Sequence, residues 1–192
     1  MKAKHRIVGL VMFMFLTFSF LNAQEYKLLL SESKLTVDGT SNLHDWTIEA
    51  KTMSGTAGFT VSGTDITALK NLTFVVEVEQ LKSGKKGMDQ NTFKALNSSK
   101  YKTINYKVTK VLKVAKNTNG TFLIETQGDL TINGVTKKIT QNFTAKLIAN
   151  KIQLTGKQTL NMTHYSVKPP TALLGTIKTG ESVTINFSVV YQ

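Results

Sequence analysis

The chain has 192 residues, with 24 basic residues against 12 acidic ones, a net charge of +12 and no cysteine. The absence of cysteine excludes a disulfide framework and a cysteine-linked lipid anchor. The basic residues are spread along the chain, with pairs such as Lys85-Lys86 and Lys137-Lys138, a pattern that suits lysines on solvated strand faces better than a nucleic-acid-binding tract.

At the start of the chain, Lys2, Lys4 and Arg6 precede IVGLVMFMFLTFSFL and then Asn22-Ala23-Gln24. A basic region, an apolar run and a small residue before the cut form the pattern of a secretory signal peptide. The apolar run falls short of the roughly 20 residues that span a bilayer. Cleavage is expected after Ala23, with Leu21 departing from the small residue preferred there, and the product is expected in the periplasm or cell envelope. Residues 24–192 then form one domain, long enough for a substantial core. Taking Lys2, Lys4 and Arg6 from the 24 basic residues leaves 21 against 12 acidic, a net +9. Export also argues against a nucleic-acid partner.

Beyond the leader, period-two alternation dominates. SNLHDWTIEA carries the single tryptophan, Trp46, at the start of a strand. LTFVVEVEQL places Phe74, Val76 and Val78 on one face and Glu77 and Glu79 on the other. MDQNTFKAL, Met88 to Leu96, changes to helical spacing and predicts a short helix across one barrel end. TINYKVTK turns Ile104, Tyr106 and Val108 inward, and TFLIETQGDLTI does the same with Phe122, Ile124, Leu130 and Ile132. KIQLTGKQTLNM contributes Ile152, Leu154, Leu160 and Met162. KPPTALLGTIKTG, Lys168 to Gly180, holds both prolines and reads as a long loop. ESVTINFSVVY closes the chain with Val183, Ile185, Phe187, Val189 and Tyr191 inward.

Turn signals are read at Asp38-Gly39, Ser54-Gly55, Asn119-Gly120, Asn133-Gly134 and Thr179-Gly180. The fold class expected is all-β with one short helix, an antiparallel barrel of about eight strands, because closure removes exposed edges. A two-sheet sandwich is the alternative.

Catalytic patterns are absent from this reading. His44 and Asp45 are neighbours, so a strand would point them to opposite faces instead of pairing them as base and orienter. With His5 in the leader, only His44 and His164 remain as imidazoles, and no HxH, HExxH or G-x-S-x-G spacing occurs. No enzyme activity, metal or cofactor is expected. Trp46 reads as a packed strand residue with its indole N–H paired.

Four ordered segments carry a family resemblance: SKLTVDGTSNLHDWTIEAKTMSGTAGF, MDQNTFKALNSSKYKTINYKV, GDLTINGVTKKITQNFTAKL and TGKQTLNMTHYSVKPPTALLGTIKTGESVTINFSVV. Over nearly all of the chain beyond the leader they resemble the YceI-like family. Lys102 departs from the proline common in that family's KYPxI element. The resemblance implies an exported, lipocalin-like barrel binding a polyisoprenoid or another long-chain lipid amphiphile without catalysis. It also leaves a homodimer open, while the basic balance of the chain leaves contact with a membrane surface open.

The inward residues expected to line such a cavity are Trp46; Phe74, Val76 and Val78; Phe93 and Leu96 of the helix; and Ile104 and Tyr106. Further along, Phe122, Ile124, Leu160, Met162, Ile185 and Phe187 complete the set. At the mouth His44, Asp45 and His164 are expected to hydrogen-bond a head group, and Lys168 or Lys178 to meet a phosphate. Alternation alone does not separate pocket from filled core. A filled barrel acting through its basic surface, and a hydrolase using His44, Asp45 and His164, therefore remain the competing readings.

Overall fold

The alternating segments fold as strands of one antiparallel sheet, and the computed structural model describes residues 24–192. The leader and the cut after Ala23 lie outside the described residues. In chain order the strands begin with β1 (Gln24–Lys27), β2 (Lys34–Ser41), β3 (Trp46–Ala50) and β4 (Met53–Ser62). β5 (Asp65–Glu77) and β6 (Leu81–Lys82) lead to the helix α1 (Lys86–Ala95). Then follow β7 (Thr103–Lys116), β8 (Phe122–Ile132), β9 (Val135–Ile148), β10 (Lys151–Asn161), β11 (Thr171–Ala172) and β12 (Ile177–Tyr191).

The expected strand number of about eight becomes twelve segments among the described residues, because three long runs bend. β1 and β2 are separated by the 3-10 turn Leu30–Glu32, β5 and β6 by the turn Val78–Gln80, and β3 and β4 by Lys51 and Thr52 alone. The sheet runs from β1 through β4, β5, β7, β8, β9, β10, β12, β2 and β3 to β6. Since β3 continues into β4, this path curls back on itself. Lys27 and Gln192 exchange backbone hydrogen bonds of 2.7 and 2.8 Å, joining β1 to the end of β12 as well as to β4. Curling of this kind pairs the edges that an open sheet would expose.

Burial follows the alternation. Every second residue of β8, from Phe122 to Ile132, is buried. β7 is less regular, since its pairing with β8 shifts register between Val108 and Lys110 and again between Val111 and Lys113. Each such bulge adds a residue on one strand and bends it, helping the sheet to curve.

Three expected turns are corrected. Asp38-Gly39, Ser54-Gly55 and Thr179-Gly180 lie inside β2, β4 and β12. Gly39 pairs with Trp46 across the β2–β3 ladder, and the indole ring occupies the place a side chain would take. Glycine here permits close approach instead of reversing the chain. Asn133-Gly134, with φ of 50° and 75°, does turn β8 into β9, and Asn119-Gly120 lies between β7 and β8.

One end of the barrel is filled. Ile124, Ile152, Leu154 and Tyr191 are fully buried there, and Phe59 meets Tyr26 and Tyr191 edge-on at 5.5 and 6.4 Å between centroids. Edge-to-face rings pack densely while matching their quadrupoles. Helix α1 lies at the other end, close to the span expected for it, and buries none of its residues fully. The Asp89 carboxylate in its first turn accepts hydrogen bonds from Ser83 N–H at 2.7 Å and Ser83 Oγ at 2.6 Å. The expected long loop over Lys168–Gly180 is also corrected. It forms a hairpin in which β11 pairs with the start of β12, behind the two prolines.

Candidate functional site

The end beneath α1 is hollow. A cavity of about 550 Å³ is walled there by β2, β3, β7, β10 and β12, by α1 and by the β11–β12 hairpin. An inner chamber of about 120 Å³ continues toward the filled end. Val37, Leu81, Ile104, Ile132 and Ile185 wall both spaces, so they form one channel narrowing inward. The interior is therefore part pocket and part core. Its volume lies within the range of small-molecule sites.

The helix supplies Met88, Thr92, Ala95 and Leu96 to the roof, at the helical spacing of one face. Trp46 lines the wall and donates its indole N–H to the Thr40 carbonyl at 3.0 Å, so its polar atom is satisfied and its ring faces the space. The turn before it is shaped by Ser41. Its Oγ accepts from the N–H groups of Leu43 and His44 at 3.2 and 3.1 Å and donates to the His44 carbonyl at 2.7 Å. The opening is bordered by Ser41, His44, Lys85, Gln90, Pro170, Thr171 and Thr179.

Polar groups deeper in the wall are turned onto one another or onto backbone. Thr126 Oγ1 donates to the Gln141 carbonyl at 2.9 Å, so the Tyr106 hydroxyl at 3.0 Å donates to Thr126. Gln141 Nε2 donates to the Asn142 carbonyl at 2.6 Å, and Gln158 Nε2 to that of Thr159 at 3.3 Å. Burial raises the pKa of Tyr106, against a smaller lowering by the Thr126 hydrogen bond, and keeps the phenol neutral. Tyr191 lines the inner chamber, fully buried and without a hydrogen-bond partner for its hydroxyl, and burial holds its pKa well above the ordinary tyrosine value. The channel is thus apolar along its depth and polar at its mouth.

Most of the expected wall lies in the channel. Trp46, Leu96, Leu160 and Met162 line the outer space, Phe74, Val76, Tyr106 and Phe187 the inner one, and Ile104 and Ile185 both. Four expected residues are corrected. Phe122 and Ile124 belong to the filled end, because β8 begins there and reaches the cavity only near Leu130 and Ile132. Val78 is buried outside the channel, since the 3-10 turn Val78–Gln80 breaks the alternation one residue after β5 ends. Phe93 is one residue past Thr92, about 100° further round the helix. Its ring lies beneath the Lys82 ammonium at 4.8 Å.

The head-group set is corrected more heavily. Of those five residues only His44 borders the cavity, and its Nδ1 lies 2.7 Å from the Asp45 carbonyl. Asp45 is exposed in the irregular stretch before β3 and does not line the cavity. His164 is exposed on the 3-10 turn Met162–Tyr165 while its neighbour Tyr165 faces in. Lys168 and Lys178 are exposed and do not line the channel; Lys178 is held in the β11–β12 ladder. Lys85, just ahead of α1, is the mouth cation that the sequence reading missed. The SGKKG run before the helix was the signal for it. Among the described residues no three histidine, aspartate or glutamate side chains come together in a metal-binding group.

A family model, the YceI-like domain, matches residues 26–191. Among solved structures, the chain is similar to Burkholderia cenocepacia BcnA, with a TM-score of 0.67 and 15% identity over 85% of this chain and 98% of that one. It is also similar to a polyisoprenoid binding domain from Saccharophagus degradans implicated in plant cell wall breakdown, with a TM-score of 0.68 and 16% identity over 87% and 97% of the two chains. A Campylobacter jejuni YCEI protein aligns with a TM-score of 0.56 and 17% identity over 73% of this chain and 80% of that chain. Among curated proteins none matches the chain by sequence.

Proposed function

The chain belongs to the YceI-like domain family, and on that premise we propose that it is a non-catalytic protein holding one long-chain amphiphile, a polyisoprenoid or fatty-acyl lipid, in its barrel. The observation that carries this reading is the channel itself, mostly apolar from Trp46 inward to Phe187, with the charged and exposed polar side chains His44, Lys85 and Gln90 at the mouth. An amphiphile satisfies both parts at once, its tail within the narrowing chamber and its head group at the opening. The description of the Saccharophagus degradans relative as a polyisoprenoid binding domain supports the same ligand class.

The energetics suffice without chemistry. Burying about ten methylene groups contributes roughly 8 kcal/mol before the ordering losses of binding. Apart from the unpartnered Tyr191 hydroxyl, the inner wall's Tyr106 hydroxyl and Gln141 amide N–H are already bonded to a neighbouring side chain or to backbone, so an apolar tail displaces few hydrogen bonds. In this reading the protein works in the periplasm or cell envelope as a carrier or store, reached through the expected leader over residues 1–23.

Native mass spectrometry of the protein isolated from its own envelope, followed by organic extraction, tests the proposal. A co-purifying lipid with prenyl or acyl character is the expected result, on a chain whose mass begins at Gln24. A bare mass that persists after incubation with prenyl and acyl lipids overturns it.

A further inference from the structure

The five exposed large apolar side chains among the described residues are unequal. Leu174 and Leu43 are exposed at 109% and 65%, whereas Leu30, Leu112 and Ile148 stay between 42% and 46%. The two most exposed both belong to the mouth. Leu43 lies between Ser41 and His44, which border the cavity, and Leu174 lies at the tip of the β11–β12 hairpin, whose Thr171 and Ile177 also line it.

These tips are tied together. Asn42 Nδ2 donates to the Thr176 carbonyl at 2.9 Å, the Lys178 N–H donates to Asn42 Oδ1 at 2.8 Å, and the Asn42 N–H donates to the Lys178 carbonyl at 3.1 Å. Leu174 is held at φ 52°, a left-handed conformation that a leucine rarely adopts. Burial does not compensate for that strain, since the side chain is wholly in solvent. Lys178 is hydrogen-bonded to Asn42 beside Leu43, Lys85 borders the same cavity with Lys86 next to it in sequence, and Lys168 precedes the bordering Pro170 by two residues. All four lysines are exposed, as is Asp45 on the Leu43 turn.

We propose that this rim docks the open end of the barrel on an anionic lipid surface, with Leu43 and Leu174 entering the headgroup layer and the four lysines meeting lipid phosphates. Apolar residues on a basic margin are the combination that binds such an interface. Charge favours this occupant over a second copy of the chain, because residues 24–192 carry a net +9 and a rim-to-rim dimer would bring the lysines together. The inference rests on the amphiphile-binding reading of the cavity. Docking would let a ligand pass between bilayer and channel without exposing its tail to water.

The test is flotation with phosphatidylcholine vesicles and with mixed phosphatidylcholine–phosphatidylglycerol vesicles. It compares the wild-type protein with a Leu43→Ser/Leu174→Ser variant, both isolated as the cell processes them. Wild type should float with the mixed vesicles and be released by raised salt. The variant should bind at least about tenfold more weakly, while its cavity takes up a detergent-delivered prenyl or acyl lipid to the wild-type level by native mass spectrometry. Equal flotation of both proteins overturns docking through these leucines. Failure of wild type to float, with a dimer in solution that the double substitution dissociates, overturns it in favour of a second copy. Normal flotation of a protein whose cavity never holds lipid would sink the carrier reading and leave the docking surface standing.

Discussion

Trp46 and Gly39 together show how one residue sets the shape of the wall. The indole covers the glycine on the neighbouring strand, and its N–H is anchored on Thr40. A methyl group at Gly39 would enter the ring, so Gly39→Ala should lose about 1–3 kcal/mol of stability, the range for overpacking, in a urea melt. An unchanged midpoint would show that the ring moves aside freely. Because Trp46 is the only tryptophan and faces the channel, its fluorescence should shift on titration with a fatty acid or prenyl alcohol. A spectrum unmoved by saturating lipid would place the ligand elsewhere. The same packing recurs where Phe187 lies over Gly156 and Tyr106 over Gly128. Alternation marked the aromatic partners from sequence, but the glycines beneath them read as turns or went unexplained. A close approach between strands distant in sequence leaves no local signal.

At the scale of elements, helix α1 is the roof of the cavity and is held by few bonds. Asp89 fastens its first turn to Ser83, and Ser98 Oγ, just beyond its end, donates to Glu79 Oε1 at 2.9 Å. Burial alone would raise the Asp89 pKa. The hydrogen bonds from the Ser83 hydroxyl and N–H, together with the Lys82 charge, outweigh it and leave the pKa lowered. A carboxylate with a lowered folded-state pKa contributes stability that is fully present above its unfolded pKa, near 3.9 for aspartate. That contribution is lost as pH falls through the folded value. Amide exchange in Lys86–Ala95 should therefore quicken, relative to the β8 amides, as the protein is acidified below about pH 4. Asp89→Asn should quicken it already at neutral pH and remove that part of the acid dependence. Identical exchange profiles for the two proteins would show that another group holds the roof. The helix itself was legible from MDQNTFKAL, but which of its faces looks down was misjudged at Phe93. Lys82, which draws that ring aside, comes from a strand the helix meets only after folding.

For the whole molecule, the two ends of the barrel should respond differently to truncation. Phe59→Ala opens a void among fully packed rings at the filled end and should lose about 3–5 kcal/mol. Ile185→Ala, in a wall that already borders empty space, should lose less than about 2 kcal/mol, since fewer packing contacts vanish. It should instead alter lipid affinity. Denaturant melts of both variants, with lipid titrations alongside, check this. Equal losses would mean that the channel is closed and packed in solution. If the channel takes a lipid tail, the tail's length should be limited, because the fully buried Leu154 and Tyr191 of the filled end also wall the inner chamber.

The sequence by itself determined the all-β class, the single short helix, the inward parity of most strands and the apolar character of the interior. These follow from period-two and period-3.6 patterns, which are local, and each residue's face is fixed by its neighbours in the chain. Only the tertiary structure decided where the barrel is hollow and where it is full. Phe122 and Leu130 share one face of β8, yet one packs in the core and the other borders the inner chamber. It also decided which polar residues reach the mouth, replacing Asp45, His164, Lys168 and Lys178 with Lys85 beside His44. Depth along a barrel axis depends on strand stagger and on which distant strand lies opposite, and neither quantity is written in the period of a single strand.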